Sequence, residues 1–165
     1  MSDYRLNAGI VVFNKFGKVL LCRRKGFPDS WQFPQGGIDK GETIKQAAIR
    51  ELKEETSIIN ARLIKTLDFG VRYDFPPEIA KKLTYDKKRY LGQEMYWSLF
   101  FFEGEDCEIN LQTTEPEFDA FCWSTLEQAY EQIIFFKKPS YKVVLKEFSP
   151  LISKYLERKS NIQAY

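Results

Sequence analysis

The sequence predicts an α/β fold in which helices pack against a mixed β-sheet, and three observations lead to this prediction. β-rich runs occur early, at residues 6–13 and 18–24, and a strongly aromatic run follows at 94–103. Residues 43–56 contain neither Gly nor Pro and consist mainly of helix-forming residues. Two further helical patterns follow the last strands. This order of strands, helix, strands and helices favours α/β layering around a mixed sheet.

Composition places the chain among ordinary folded proteins. Its 165 residues are enough for a substantial core, and we expect one domain over residues 1–165 with a frayed tail from about residue 159. Hydrophobic residues make up 44% of the chain and aromatic residues 16%, which excludes a disordered protein. The net charge of +2 is too small to indicate nucleic-acid binding by itself.

The reactive side chains limit the available chemistry. The chain has no histidine, which excludes His-based catalysis and His-ligated zinc and leaves carboxylates, Lys, Tyr or a bound metal ion. Cys22, Cys107 and Cys122 are odd in number and widely spaced, so we expect reduced thiols in or near the core of a cytoplasmic protein. The first residues do not resemble a signal peptide, and no apolar run reaches membrane-spanning length.

The first two β-rich runs are expected to form a hairpin through the turn at residues 14–17. The second run ends in three cations, residues 23–25, which have two interpretations. They either protect an edge strand by charge or contact a phosphate or base. A short strand at residues 31–33 then stops at Pro34 and leads into Gly36-Gly37, where the backbone can approach a ligand closely.

The segment 43–56 is predicted to be a helix of about four turns. Thr43 and Gln46 have the spacing of a capping box at its N-terminus. At 100° per residue, three carboxylates lie on or at the edge of the stripe of small apolar residues that should face the core. These carboxylates are Glu51, Glu54 and Glu55.

A solvated face is the usual explanation for a Glu-rich helix, but lysines and Gln46 already supply a polar side here. Clustered, partly buried carboxylates repel one another and take up protons unless a cation neutralises them. Converging oxygen ligands suit Mg²⁺ or Mn²⁺, which take part of their ligand shell from substrate phosphates. The helix is therefore predicted to bind metal and a polyphosphate.

The second half of the chain supplies the remaining elements. We expect one long β-type stretch at residues 60–75 and a central strand at 94–103. The insertion at 78–92 is either a solvated loop or a basic flap over an anionic substrate. Further strands are expected at 108–111 and 117–123, and helices at 125–134 and 140–158 with Pro150 as a kink or break.

Phe135 and Phe136 form an adjacent aromatic pair beside two lysines. Two neighbouring side chains rarely both face a core, so one could stack on a base while the lysines contact phosphate. Packing of the pair in the core is the equal alternative.

The residues around the helix resemble the signature of the Nudix hydrolase family. The resemblance comprises Gly36, five residues, Glu42, seven residues, and then Arg50-Glu51-Leu52-Lys53-Glu54-Glu55-Thr56-Ser57-Ile58. Ser57 is the one departure, because the family has Gly there. A Ser in a left-handed conformation costs about 1 kcal/mol.

The likeness extends over roughly residues 4–149. Over this range the sequence is similar to the branch that contains the bacterial RNA 5′ pyrophosphohydrolases and the dinucleoside polyphosphate hydrolases of bacteria and plants. The segments that carry this likeness are residues 31–38, 92–93, 116–119 and 136–137. Relatives often have a basic segment where this chain has Glu94-Met95, so the resemblance does not carry phosphate contacts over to that segment.

The resemblance implies a fold, a set of metal ligands and a set of substrate contacts. The fold would be a Nudix-type α/β/α sandwich. Metal would be bound by the Gly36 carbonyl, Glu51, Glu54, Glu55 and Glu117, and the general base would be Glu54 or Glu117. Glu42 would pair with Arg50. Substrate contacts would come from Arg5, Arg24, Tyr73, Phe136 and Lys137, with Arg24 and Phe136 sandwiching a base.

The expected activity is metal-dependent hydrolysis of a nucleoside 5′-polyphosphate, with Mg²⁺ or Mn²⁺. Removal of pyrophosphate from the 5′-triphosphate end of RNA, a step in mRNA decay, is favoured. Hydrolysis of diadenosine tetraphosphate is the alternative. A non-catalytic RNA- or nucleotide-binding module is disfavoured, because such a protein would be expected to lose helix carboxylates. A monomer is favoured.

Overall fold

The fold is a mixed sheet with helices on both faces. A computed structural model describes residues 2–85 and 88–164, and within these ranges eight strands form one sheet. The strands are β1 Tyr4–Phe13, β2 Val19–Arg24, β3 Trp31–Gln32, β4 Gln35–Gly37, β5 Ala61–Thr66, β6 Val71–Asp74, β7 Gly92–Phe102 and β8 Phe118–Ser124. The helices are α1 Ile44–Thr56, α2 Pro77–Ala80, α3 Leu126–Gln132 and α4 Lys138–Gln163, with 3₁₀ turns at Asp106–Glu108 and Phe135–Lys137.

β1 and β7 form the centre of the sheet. They pair in parallel over ten positions, from Tyr4 opposite Gly92 to Phe13 opposite Phe101. The other strand pairs are antiparallel, which confirms the predicted mixed sheet. β7 also pairs with β5 and β6, so the prediction that the aromatic strand is central is confirmed.

Residues of β1 alternate between two separate cores. Ile10 and Val12 belong to the core that packs against α1, while Val11 and Phe13 belong to the core against α4. Because helices cover both faces, both sets of side chains are apolar and buried. This arrangement confirms the α/β/α layering and places α1 on one face of the sheet.

Three predicted elements differ from the structure. The stretch 60–75 is two strands, β5 and β6, separated at residues 67–70. The strand expected at 108–111 is wrong, because a 3₁₀ turn ends at Glu108 and no strand follows until β8. The cations that end β2 do not protect an edge, since β2 pairs with β1, β3 and β8.

The C-terminal helix is longer than predicted. α4 runs through Pro150 and continues to Gln163, so residues 159–163 are helical. The insertion 78–92 begins with α2 and contains an isolated bridge between Tyr85 and Lys88. Its residues 86–87 lie outside the described part of the chain. No helix among the described residues is both long and apolar enough to span a bilayer.

Candidate active site

The termini of α1 fix the orientation of the Glu-bearing helix. At the N-terminus, Thr43 Oγ1 accepts from the Gln46 N–H at 3.1 Å and the Thr43 N–H donates to Gln46 Oε1 at 2.9 Å, which confirms the capping box. At the C-terminus, Ser57 is left-handed with φ 64°, as its place in the signature predicts. Its hydroxyl donates to the Asn110 carbonyl at 2.8 Å.

Glu55 is a buried carboxylate on the sheet-facing side of α1. It is 5% exposed, and its Oε2 accepts from the Gln35 N–H at 3.2 Å. Its other oxygen, Oε1, is buried without a hydrogen-bond partner among the described residues. Burial and the neighbouring charge of Glu117 raise its pKa well above the usual value. A buried acceptor left unpaired marks a place where a cation would be stabilised.

Gly36 in β4 lies directly against Glu51. A Cβ at this position would collide with the Glu51 carboxylate, so only glycine allows the two to approach this closely. Burial raises the pKa of Glu51, although Arg50 partly opposes the effect. Glu54 is more exposed than Glu51 and Glu55, because its side chain is 59% exposed and lies at the edge of the apolar stripe of α1.

Arg50 holds the rim of the site together. Its guanidinium donates to both oxygens of Glu42, at 2.8 and 2.9 Å, and to the Gly37 carbonyl at 2.9 Å. It also donates to Glu51 at 2.8 Å and to Glu54 at 3.2 Å. The hydrogen bonds from Arg50 lower the pKa of Glu42 to about 2. The predicted Arg50–Glu42 pair is therefore present in the structure.

Glu117 reaches the site from the segment that precedes β8. Its backbone carbonyl accepts from the Lys25 N–H at 2.9 Å, and its carboxylate faces Glu55. Together these carboxylates line a cleft of about 730 Å³ whose walls are α1 and the segment 112–117. Residues from distant parts of the chain thus converge, as the prediction required.

A family model for the NUDIX domain matches residues 3–147 of the chain. The chain belongs to the Nudix family. Nudix hydrolase 27, chloroplastic, of Arabidopsis thaliana is 41% identical over 151 residues, covering 89% of this chain and 66% of that protein. The RNA pyrophosphohydrolase of Pelagibacter ubique is 40% identical over 163 residues, covering 93% of this chain and all of that protein.

A solved structure of a Nudix-fold protein, an Ap4A hydrolase of C. elegans in a binary complex, matches with a TM-score of 0.60 at 25% identity. It covers 90% of this chain and 98% of the C. elegans chain. The relatives support a Nudix enzyme that hydrolyses pyrophosphate bonds.

The carboxylates of α1 can be compared with the needs of the divalent ion that the family resemblance implies. Among the described residues, no three acidic, Cys or His side chains already enclose a metal position. Two features nevertheless fit a hard divalent cation: the unpaired Oε1 of Glu55 and the close contact of Gly36 with Glu51. Mg²⁺ typically binds through a few carboxylates and completes its shell with water and phosphate. The residues present therefore fit the ion that the family resemblance implies.

The predicted substrate residues do not line the carboxylate cleft, and they differ in exposure. Arg5 is half-buried, with its guanidinium 3.9 Å from the centre of the Tyr85 ring. Tyr73 is 5% exposed, and its hydroxyl donates to Gln93. Tyr73 thus lies beneath the surface, where it supports its neighbours rather than presenting a free face. Arg24 is exposed, with its guanidinium 4.8 Å from the centre of the Phe27 ring.

The aromatic pair at 135–136 divides between surface and core. Phe135 is 67% exposed, whereas Phe136 is half-buried against Tyr73 and Phe75. The exposed ring is therefore not the one that the resemblance assigns to base stacking. Exposure of one ring, which base stacking requires, is thus observed, and stacking itself stays a prediction.

Gln35 and Gln93, for which the sequence predicted no role, form hydrogen bonds next to Lys137. Gln35 Nε2 donates to Gln93 Oε1 at 3.1 Å, and Gln35 Oε1 lies 3.3 Å from Lys137 Nζ. Lys137 Nζ also lies 3.5 Å from Gln32 Oε1. Gln93, which lies in one of the segments that carry the family resemblance, was the signal that could have identified this network.

We expect Arg50→Lys to destabilise the protein by about 1–3 kcal/mol and lower kcat at least tenfold. An ammonium cannot reproduce the forked contacts with Glu42 while also reaching Glu51 and the Gly37 carbonyl. Urea unfolding and steady-state kinetics measure the two effects. Arg62→Lys is the matched control, because Arg62 makes one exposed ion pair with Glu103 and should change stability by under about 0.5 kcal/mol.

Lys137 should make polyphosphate binding pH-dependent. Burial, with a contribution from Arg24, lowers its pKa to about 8. A charged amine attracts phosphate and a neutral one does not, so affinity for a non-hydrolysable nucleoside triphosphate should fall as the pH rises from 7 to 9.5 if Lys137 contacts the phosphates. Calorimetry on the wild type and on Lys137→Gln measures this affinity as a function of pH. The variant should lose the decrease in affinity that is centred near pH 8. Identical pH profiles for the two proteins would contradict a role for Lys137 in phosphate binding.

Proposed function

We propose that this protein uses Mg²⁺ or Mn²⁺ to remove pyrophosphate from the 5′-triphosphate end of RNA. The observation that supports this proposal most directly is the unpaired, buried oxygen of Glu55, in a cleft that Glu51 and Glu117 also line. Several relatives that are about 40% identical and covered almost completely are RNA pyrophosphohydrolases. The proposed location is the cytoplasm, and the proposed unit is a monomer of one domain.

The carboxylate side of the cleft would hold the metal. Glu51, Glu54, Glu55 and Glu117 are the proposed ligands, with the carbonyl of Gly36 beside them. When bound, divalent ions would neutralise charge on the phosphate oxygens and lower the pKa of the attacking water. Arg50 keeps Glu51 in place through its 2.8 Å contact.

A carboxylate of the cleft would take the proton from the water. Glu54 already accepts from Arg50, while Glu117 forms no ion pair among the residues described. Glu117 is also adjacent to the buried Glu55. We therefore assign proton transfer to Glu117, through a carboxylate oxygen that does not bind metal, and metal binding at the rim to Glu54.

A group of cations and aromatic rings beside the cleft would hold the nucleotide. Lys137 lies between Gln32 and Gln35, close to the carboxylates, and would contact the phosphate chain. Arg24 is exposed and would stack on one face of a base, with the half-buried Phe136 as the proposed partner on the other face. Arg5 and Tyr73 would support this side, Arg5 by direct contact and Tyr73 through Gln93.

Product analysis on two substrates tests this proposal. Triphosphorylated RNA and diadenosine tetraphosphate are incubated with the protein and Mg²⁺, with chelator as the control. We expect pyrophosphate and monophosphorylated RNA, with kcat/KM for RNA exceeding that for diadenosine tetraphosphate. A preference for diadenosine tetraphosphate would favour the second candidate, which the fold match to an Ap4A hydrolase supports. Absence of turnover on both would contradict an enzymatic role and favour a binding module.

A further inference from the structure

A second cavity lies outside the carboxylate cleft. It has a volume of about 390 Å³, within the range of small-molecule sites, and residues 26–31 form one wall while Gln132 and Ile134 form the other. We name it the aromatic pocket, because Phe27 and Trp31 line it. Phe27 is 55% exposed and Ile134 is 47% exposed, so two large apolar side chains face solvent at this position.

The aromatic pocket adjoins the proposed phosphate site through Lys137. The Lys137 N–H donates to the carbonyl of Ile134, a pocket residue, at 3.0 Å. Its amine meanwhile lies 3.5 Å from Gln32, which is next to the pocket residue Trp31. The turn at residues 134–137 therefore joins Lys137 to one wall of the pocket.

Cations are interleaved with these aromatic rings. The guanidinium of Arg24 lies 4.8 Å from the centre of the Phe27 ring, and that of Arg23 lies 5.8 Å from the centre of the Trp31 ring. Arg23 is paired with Asp119, but Arg24 and Lys25 form no ion pair within the described ranges. Aromatic rings that stack bases, alongside cations that follow the backbone, are the means by which proteins bind single-stranded nucleic acid.

We infer that the aromatic pocket binds a nucleobase of the RNA strand downstream of the nucleotides held by Arg24 and Phe136. This inference rests on the proposed function, since the strand must enter with its 5′ end at the carboxylates. The base would lie against Phe27 and Ile134, and Lys25 would face the strand's phosphates. Arg24, which lies over the Phe27 ring, would hold the preceding base. The pocket would thereby favour substrates with an unpaired strand of several nucleotides over short polyphosphates.

The test compares two triphosphorylated tetranucleotides, one complete and one abasic at its third and fourth positions. Phe27→Ala and Ile134→Ala should each raise KM for the complete substrate about five- to tenfold, in line with loss of one stacked base. KM for the abasic substrate should not change, and kcat should stay the same on both. Phe16→Ala is the matched control, because Phe16 is 74% exposed in the β1–β2 turn and lines neither cavity.

Three outcomes would overturn the inference. Equal KM increases on both oligonucleotides would show that Phe27 acts only by orienting Arg24. Unchanged KM on both would show that the pocket is empty during turnover. An increase of the same size for diadenosine tetraphosphate would assign the pocket to the second adenosine instead. Binding of the same two oligonucleotides, measured by fluorescence anisotropy, gives the comparison without turnover and so separates this inference from failure of the proposed activity.

Discussion

Glu55→Gln is expected to lower kcat at least a hundredfold while the fold survives. The substitution keeps the shape of the side chain but removes the negative charge whose Oε1 is buried and unpaired. Loss of one charged group at a transition state costs about 3 kcal/mol, which corresponds to about a hundredfold in rate. Steady-state kinetics on triphosphorylated RNA measures the effect, and Glu157→Gln on the exposed side of α4 is the control.

Thermal unfolding without divalent ions distinguishes this loss from misfolding. The folded state raises the pKa of Glu55, so the folded protein holds this proton more tightly than the unfolded chain. The charged carboxylate therefore destabilises the fold as the pH rises above about 4.3, the unfolded value. At pH 8 the variant should melt at or above the wild-type temperature, and this advantage should shrink towards pH 4. A variant that melts well below the wild type at pH 8, or turns over normally, would contradict the assignment.

Gly36→Ala should also lower kcat about a hundredfold, a change of ~2.7 kcal/mol. The new Cβ would occupy the position of the Glu51 carboxylate, which cannot withdraw without breaking its contact with Arg50. Kinetics at saturating Mg²⁺ measures kcat, and titration with Mn²⁺ should show weaker metal binding.

Gly37→Ala provides a matched comparison one residue later. Its Cβ would meet the Arg5 guanidinium at 2.5 Å, and the end of this flexible side chain can move. We therefore expect a rise in KM of about fivefold, with kcat nearly unchanged. Equal effects of the two substitutions on kcat would indicate a general disturbance of β4 and would contradict the separate roles of Glu51 and Arg5.

The elements predicted correctly are those fixed by local chemistry. The capping box at Thr43 and Gln46 fixes the start of α1 through hydrogen bonds within one turn. Helical periodicity alone placed Glu55 on the side that faces the sheet, where it is buried. The left-handed turn at Ser57 followed from the signature position.

The elements that sequence reasoning missed depend on distant partners. β4 has only three residues and exists because Gly36 and Gly37 pair with Ala8 and Asn7 of β1. Edge protection was one of two interpretations of the β2 cations, and it is wrong because β8 joins that strand from about a hundred residues later. The break between β5 and β6 is a different case, because Asp68-Phe69-Gly70 carries turn-forming residues that were available in the sequence.

The hydroxyl of Ser57 connects the C-terminus of α1 to the segment that forms the opposite wall of the cleft. Asn110 is attached to the end of α1 twice, since its carbonyl accepts from Ser57 and its N–H donates to the carbonyl of Thr56 at 3.0 Å. The polypeptide then continues from this double anchor towards Glu117. A glycine at position 57 would relieve the torsional strain of the left-handed backbone but would remove one of these two hydrogen bonds. Lower strain at the end of α1 would therefore come with a less constrained distance between Glu55 and Glu117.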